Sequence, residues 1–181
     1  MRRPAIGLLV LVAVAVSGCA GTQAAPTASP ATDLRVSAGA TEWMTDLCTI
    51  AGDLRNGLWA SATGDGPLRK RLHDQLDTAA GKVDTALGEL RTMPDAPVPG
   101  GDAAVTQLGD ELGELRDALV RGRGALAALP ADTGEDRLGQ ALGAVWPQAA
   151  ARAAKPFTGV TVSDAMRNAA TGPDCATIIP H

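Results

Sequence analysis

Apolar residues recur at every third or fourth position through most of the chain. Trp43, Leu47, Ile50, Leu54 and Leu58 form the first such stripe, widened by Met44 and Ala51, and this spacing predicts an amphipathic helix. Thr41 stands where its N-cap is expected. Gly64-Asp65-Gly66 interrupts the pattern, and Pro67 suits the first position of a second helix, where its missing N–H costs nothing. That helix carries Leu68, Leu72, Leu76, Ala79 or Ala80, Val83, Leu87 and Leu90 on one stripe. It stops before Pro94, and Pro94, Pro97 and Pro99 predict a stiff loop.

Asp102 is the expected N-cap of a third helix bearing Val105, Leu108, Leu112, Leu115, Leu119, Leu126 and Leu129. Gly122 and Gly124 weaken its last turns by up to about 1 kcal/mol each relative to alanine. A fourth segment opens with Asp132 and Glu135 in capping-box spacing and carries Leu138, Leu142 and Val145. Pro147 should kink or divide it, because the residue before a proline avoids the helical region. The segment resumes through Ala154 and ends at Lys155-Pro156. Residues 157–162 look extended, Ser163 looks like the cap of a short helix over 164–171, and Gly172-Pro173 ends it. Four amphipathic segments with short connections predict an all-α domain over residues 41–181: an antiparallel four-helix bundle with a short extra C-terminal helix.

Upstream the pattern changes. Residues 20–40 are mostly Gly, Thr, Ala, Ser and Pro, too poor in apolar surface to order themselves. They predict a disordered tether over 19–40 with an average reach of roughly 25 Å. Before it come Arg2 and Arg3, an apolar run over residues 6–16, and Val16-Ser17-Gly18-Cys19. A basic head, a short apolar run and a small-residue cleavage site make a secretory signal, too short to span a bilayer as a stable helix.

Val16-Ser17-Gly18-Cys19 resembles the lipobox of bacterial lipoproteins. That resemblance implies that residues 1–18 are a signal peptide removed on export. It also implies that Cys19 becomes the mature N-terminus with its thiol diacylglycerated, anchoring the chain at the extracytoplasmic face of the cell membrane. One acyl chain holds a protein marginally and two hold it stably, so a diacyl group suffices. The alternative is an ordinary secretory signal with an incidental cysteine. The lipobox resemblance covers residues 1–19 alone. The helical body with one cysteine pair is loosely similar to small actinobacterial lipoproteins of unassigned role. Abundant Ala, Arg, Gly, Asp and Pro, the residues of GC-rich codons, point the same way.

Charge and chemistry narrow the function. The chain has 16 basic and 20 acidic residues, so without Arg2 and Arg3 its net charge is −6. An acidic balance with scattered charges argues against nucleic acid, which needs a basic stripe, and leaves membrane attachment to the lipid. With Cys19 committed to lipid, Cys48 and Cys175 remain, and in an oxidising compartment a single disulfide is the expected outcome. Two buried free thiols are the alternative. There is no tyrosine, so Phe157, Trp43, Trp59 and Trp146 are the only aromatics and the core must be Leu, Val and Ala. The three indoles are the candidate lining of a pocket for an apolar ligand, weighed against a plain role in filling the core, which we expect.

His73, Asp74 and Asp77 form the only cluster with metal-ligand spacing, but they flank the buried stripe with no second His or Cys nearby, so solvated surface and no metal is the expectation. Asp110, Glu111, Glu114 and Asp117 make an acidic helix face with Arg116 and Arg121 beside it, which reads as ion-paired surface rather than an acid–base pair. Arg69-Lys70-Arg71 and Arg55 make a small basic spot. No triad, P-loop, Rossmann or His-Glu-x-x-His motif is present, so no catalytic residue and no cofactor are expected. The sequence therefore reads as a membrane-anchored, non-enzymatic binding or interaction module of the cell envelope, with an envelope protein as partner. A carrier or sensor of a small apolar ligand and an unrecognised enzyme are the alternatives.

Overall fold

The leucine stripes of the sequence become helices. The computed structural model describes residues 37–59, 66–143 and 145–179, Trp59 by its backbone alone. The expected signal, Cys19 and the tether up to residue 36 lie outside the described residues. Within them α1 spans Ala38–Trp59, α2 Leu68–Thr92, α3 Gly101–Ala128, α4 Glu135–Leu142, α5 Trp146–Ala154, α6 Asp164–Ala169 and α7 Pro173–Ala176, with no strand.

Cross-helix partners fix the topology. Asp77 meets Arg123 and Asp84 meets Arg116, so an advance along α2 is a retreat along α3. Trp43 reaches Pro94 while Gly57 lies against Lys82, which sets α1 antiparallel to α2. The pair α4–α5 returns along α3, with Val145 packed at Gly122 and Arg152 at Glu111. The result is an antiparallel bundle whose fourth member is broken in two. After α6 the chain runs parallel to α1: Gly172 lies at Thr45, Cys175 is bonded to Cys48, and Ile178 packs on Gly52. This closing segment acts as a strap along α1.

One contiguous core results. Met44, Leu47, Leu76, Val83, Leu108, Leu115, Leu119, Leu126, Phe157 and Met166 are its fully buried large side chains. Each aliphatic side chain of this size contributes about 1.5–3 kcal/mol on burial, so the bundle does not need aromatics to hold it. No polar or charged residue is buried among the described residues, and Val120 is the only large apolar side chain they expose. The disulfide holds Cys48 and Cys175 with their Cα atoms 5.1 Å apart across 127 residues of sequence.

Several helix ends differ from the sequence reading. α1 starts at Ala38, inside the expected tether, because Ser37 caps it: its Oγ accepts from the Ala40 N–H at 3.1 Å. Thr41 therefore lies within the first turn. At α3 the N-cap is Gly100, left-handed at φ 82°, and Asp102 Oδ1 instead accepts from the Ala96 N–H at 2.8 Å, stapling the proline loop to the helix. The next residue must also be glycine, since a β-carbon on Gly101 would overlap Ala96 and come within 3.0 Å of the Trp43 ring. Gly134, not Asp132, caps α4. The fourth segment divides between Leu142 and Trp146, and Pro147 sits in the first turn of α5 where its ring is tolerated, leaving Trp146 helical.

The stretch expected to be extended begins as a turn, closed by Thr158 N–H to Lys155 O at 3.0 Å and Val160 N–H to Phe157 O at 3.1 Å. Ser163 caps α6 as read, its Oγ accepting from the Met166 N–H at 3.2 Å. α6 ends at Ala169, short of the expected 171, and Pro173 opens a further short helix, α7.

Candidate functional site

The tryptophans serve different ends of the bundle. Trp43 is 3% exposed, and its Nε1–H donates to the Pro94 carbonyl at 3.0 Å. That bond ties the start of α1 to the loop between α2 and α3, the kind of partner a buried indole needs. Trp146 is half-buried beside a void of about 10 Å³ lined by Leu58, Ala149, Ala150 and Ala153. Such a space holds one water at most. Trp43 is not on its wall, and the Trp59 side chain lies outside the described residues. The alanines of α5 bring that helix close to α1 and leave no room for an apolar ligand there.

The charged clusters are structural ties. His73 Nδ1 lies 3.1 Å from Asp77 Oδ2, while Asp77 Oδ1 accepts from Arg123 Nη1 at 2.8 Å. The Arg123 hydrogen bond, opposed by some desolvation and helped by the Arg123 charge and by neighbouring His73, holds the Asp77 carboxyl below the ordinary aspartate value. Both oxygens are thus engaged, one of them across the α2–α3 seam. Among the described residues no three His, Cys, Asp or Glu side chains gather as a metal site.

The acidic face of α3 has a partner that helical spacing cannot show. Arg152 of α5 forks onto it, Nη1 to Glu111 Oε2 at 2.7 Å and Nη2 to Glu114 Oε2 at 2.9 Å. Arg116 pairs with Asp84 at 2.5 Å and more distantly with Asp117 at 3.7 Å. The basic spot is dispersed. Arg69 donates to the carbonyls of Leu126 at 2.9 Å, Leu129 at 3.1 Å and Pro130, closing the C-terminal end of α3 where a cation is favoured. Lys70 pairs with Asp74 at 2.6 Å, and Arg55 reaches Thr177 on the strap at 3.3 Å.

The α1–α2 seam stays open. One recess of about 460 Å³ is lined by Ile50, Asp53, Leu54, Gly57, Lys82, Thr85, Ala86 and Glu89. A second of about 310 Å³ is lined by Asp46, Thr49, Ile50, Asp53, Glu89, Thr92, Met93 and Pro94. They share Ile50, Asp53 and Glu89, and so form one trough. Its floor is Ile50, Leu54 and Ala86, which are buried, and its rim holds three carboxylates and one ammonium. A smaller hollow of about 200 Å³ between α3 and α5 is lined by Glu114, Asp117, Arg121, Gln148 and Arg152, with its charges balanced. The trough is the candidate site, and its chemistry is suited to holding a cation. The sequence gives one hint of it: Asp46, Thr49 and Asp53 share a polar stripe beside the leucine stripe of α1.

Comparison with protein-family models, with curated proteins and with solved structures finds no match to this chain.

Proposed function

We propose that this chain is a membrane-anchored extracytoplasmic lipoprotein that serves the cell envelope as a non-enzymatic binding module. The observation that carries the reading is the Cys48–Cys175 bond, which joins α1 to the strap and is buried at both ends. Structural disulfides persist in oxidising compartments, so the bond supports export. The Arg2-Arg3 head, the apolar run and Val16-Ser17-Gly18-Cys19 supply the route and the anchor in this reading. Among the described residues no helix is long and apolar enough to cross a membrane, and in this reading the lipid on Cys19 is the attachment.

The open trough along α1 and α2 supports a binding role, and the void of about 10 Å³ beside Trp146 weighs against carriage of an apolar ligand. Fractionation of the expressing cell tests the anchor. The wild-type chain is expected in the membrane fraction, released by detergent and not by salt, and Cys19→Ala is expected to be unprocessed or released. A Cys19→Ala chain that is cut after residue 18 and still held by the membrane contradicts the reading.

A further inference from the structure

We propose that this chain is a substrate of an exported thiol–disulfide oxidoreductase, which bonds first to Cys175 and is displaced by Cys48 as the strap seats on α1; the proposal rests on the export reading. In the finished fold both cysteines are buried, Cys48 completely and Cys175 at 1% exposed. Their bond is flanked by two seats of the strap, Gly172 at Thr45 and Ile178 against Gly52. A protein oxidant cannot reach sulfurs enclosed in this way. The reaction that makes the bond therefore acts while the strap is still off the bundle.

The helices permit that order. α1, α2 and α3 have 22, 25 and 28 residues and bury long apolar stripes, so they can assemble before the bond exists. α6 and α7 have 6 and 4 residues, too short to persist as helices away from the bundle. Before oxidation the strap is thus a tail that carries an accessible thiol. The two cysteines stand 127 residues apart, and burial of Ile178 and Ile179 helps to hold the closed loop.

The two thiols are not equivalent as points of entry. Cys48 lies in the middle of α1, on the stripe of Thr45, Cys48 and Gly52 that the strap must cover. An oxidoreductase bonded to Cys48 would sit on that stripe and keep Gly172 and Ile178 from their seats. One bonded to Cys175 rides on the free strap and leaves the stripe open.

The exchange then runs in two steps. The Cys175 thiolate attacks the active-site disulfide of the oxidoreductase, forming a mixed disulfide and freeing one enzyme sulfur as a thiolate. As the strap docks, the Cys48 thiolate attacks the Cys175 sulfur. The Cys48–Cys175 bond forms, the mixed disulfide breaks, and the enzyme leaves as a dithiol with the two electrons. The protons lost by Cys48 and Cys175 pass through solvent to the enzyme's two sulfurs. Seating brings the two Cα atoms to 5.1 Å, within disulfide range, and burial then shields the new bond from the departing dithiol.

The test uses the full-length lipidated chain, reduced in denaturant and returned to detergent micelles. The probe is a Cys-x-x-Cys oxidoreductase reduced to its one nucleophilic cysteine and capped there with thionitrobenzoate, whose coloured release counts mixed disulfides. Capture of the Cys48→Ala chain, through Cys175, is expected to be about tenfold faster than capture of the Cys175→Ala chain. Equal rates, or faster capture through Cys48, overturn the proposal. Both variants should keep hydrogen-exchange protection over residues 68–128, and its loss also overturns the proposal, because the bundle would not then precede the bond. Wild type should be oxidised at least about tenfold faster by the intact oxidoreductase than by an equal concentration of oxidised glutathione, and equal rates overturn the need for a protein oxidant. The double variant Cys48→Ala/Cys175→Ala separates the two levels of inference. Its capture would expose a free Cys19 and overturn the lipid anchor, while the ratio of the single variants, corrected for it, still decides the order of exchange.

Discussion

The α2–α3 hairpin and the stretch from α4 to α7 bury comparable stripes, but they are held in place by different means. α2 and α3 have 25 and 28 residues, long enough for uninterrupted stripes of Leu76, Val83, Leu87 and Leu90 against Leu108, Leu112, Leu115 and Leu119. Their contacts are spread along the whole seam, with ion pairs on its outer edge and Arg69 closing one end. α4, α5, α6 and α7 have 8, 9, 6 and 4 residues, below the length at which an isolated helix is stable in water. They are fastened at points: Val145 in the gap left by Gly122, Arg152 in its carboxylate fork, Ser163 at the head of α6 and Cys175 under the strap. A long periodic helix distributes its stability, whereas a broken one concentrates it in a few residues.

Breaking the disulfide attacks the point-fastened half at its strongest tie. Cys48→Ala/Cys175→Ala removes the constraint on a long loop and is expected to cost about 4 kcal/mol, lowering the melting temperature by roughly 10 °C. Hydrogen exchange should show residues 164–179 losing protection well before 68–128. Uniform loss across both regions would remove the distinction.

Leu119→Ala attacks the distributed half. Leu119 is fully buried, so truncation should cost about 3 kcal/mol. Chemical denaturation should show the whole bundle weakened in one cooperative transition, with no early release of the strap. Arg69→Ala sharpens the picture at the end of the hairpin. It leaves the terminal carbonyls of α3 to water and is expected to cost about 1 kcal/mol, with faster exchange confined to residues 124–130.

The smallest effect is expected from pH. Asp77 is depressed chiefly by its hydrogen bond from Arg123, so its contribution is present above the ordinary aspartate range and is lost as pH falls through the lower folded value. Both side chains are nearly half exposed, so the loss should be a few tenths of a kcal/mol. Urea melts of wild type and Arg123→Gln at pH 7 and at pH 3 should converge at the lower pH.

The same contrast explains what could be read in the chain. Leu76, Leu108 and Leu115 announce their burial by spacing, because a helix maps sequence period directly onto one face. The Cys48–Cys175 pairing was legible because two thiols permit one connectivity. The point fasteners were not. Nothing local marks Arg152 as the partner of Glu111 and Glu114, or Arg69 as the closure of α3, since each contact spans about forty to sixty residues and depends on how whole helices pack. The caps at Asp102 and Asp132 were misread because glycines at 100 and 134 took the cap positions, freeing Asp102 to bind the Ala96 N–H. The trough escaped notice for a related reason. Its lining includes short residues, Thr49 and Gly57 on α1 and Thr85 on α2, which carry no periodic apolar signal.

Mass spectrometry of the protein taken from its own envelope, with free thiols alkylated before lysis, tests export, anchor and strap together. The expected species starts at Cys19, carries a diacylglyceryl group there, and links Cys48 to Cys175 without alkylation at either. A species that retains residues 1–18, with Cys48 and Cys175 both alkylated, would contradict the proposed export, lipid anchor and strap.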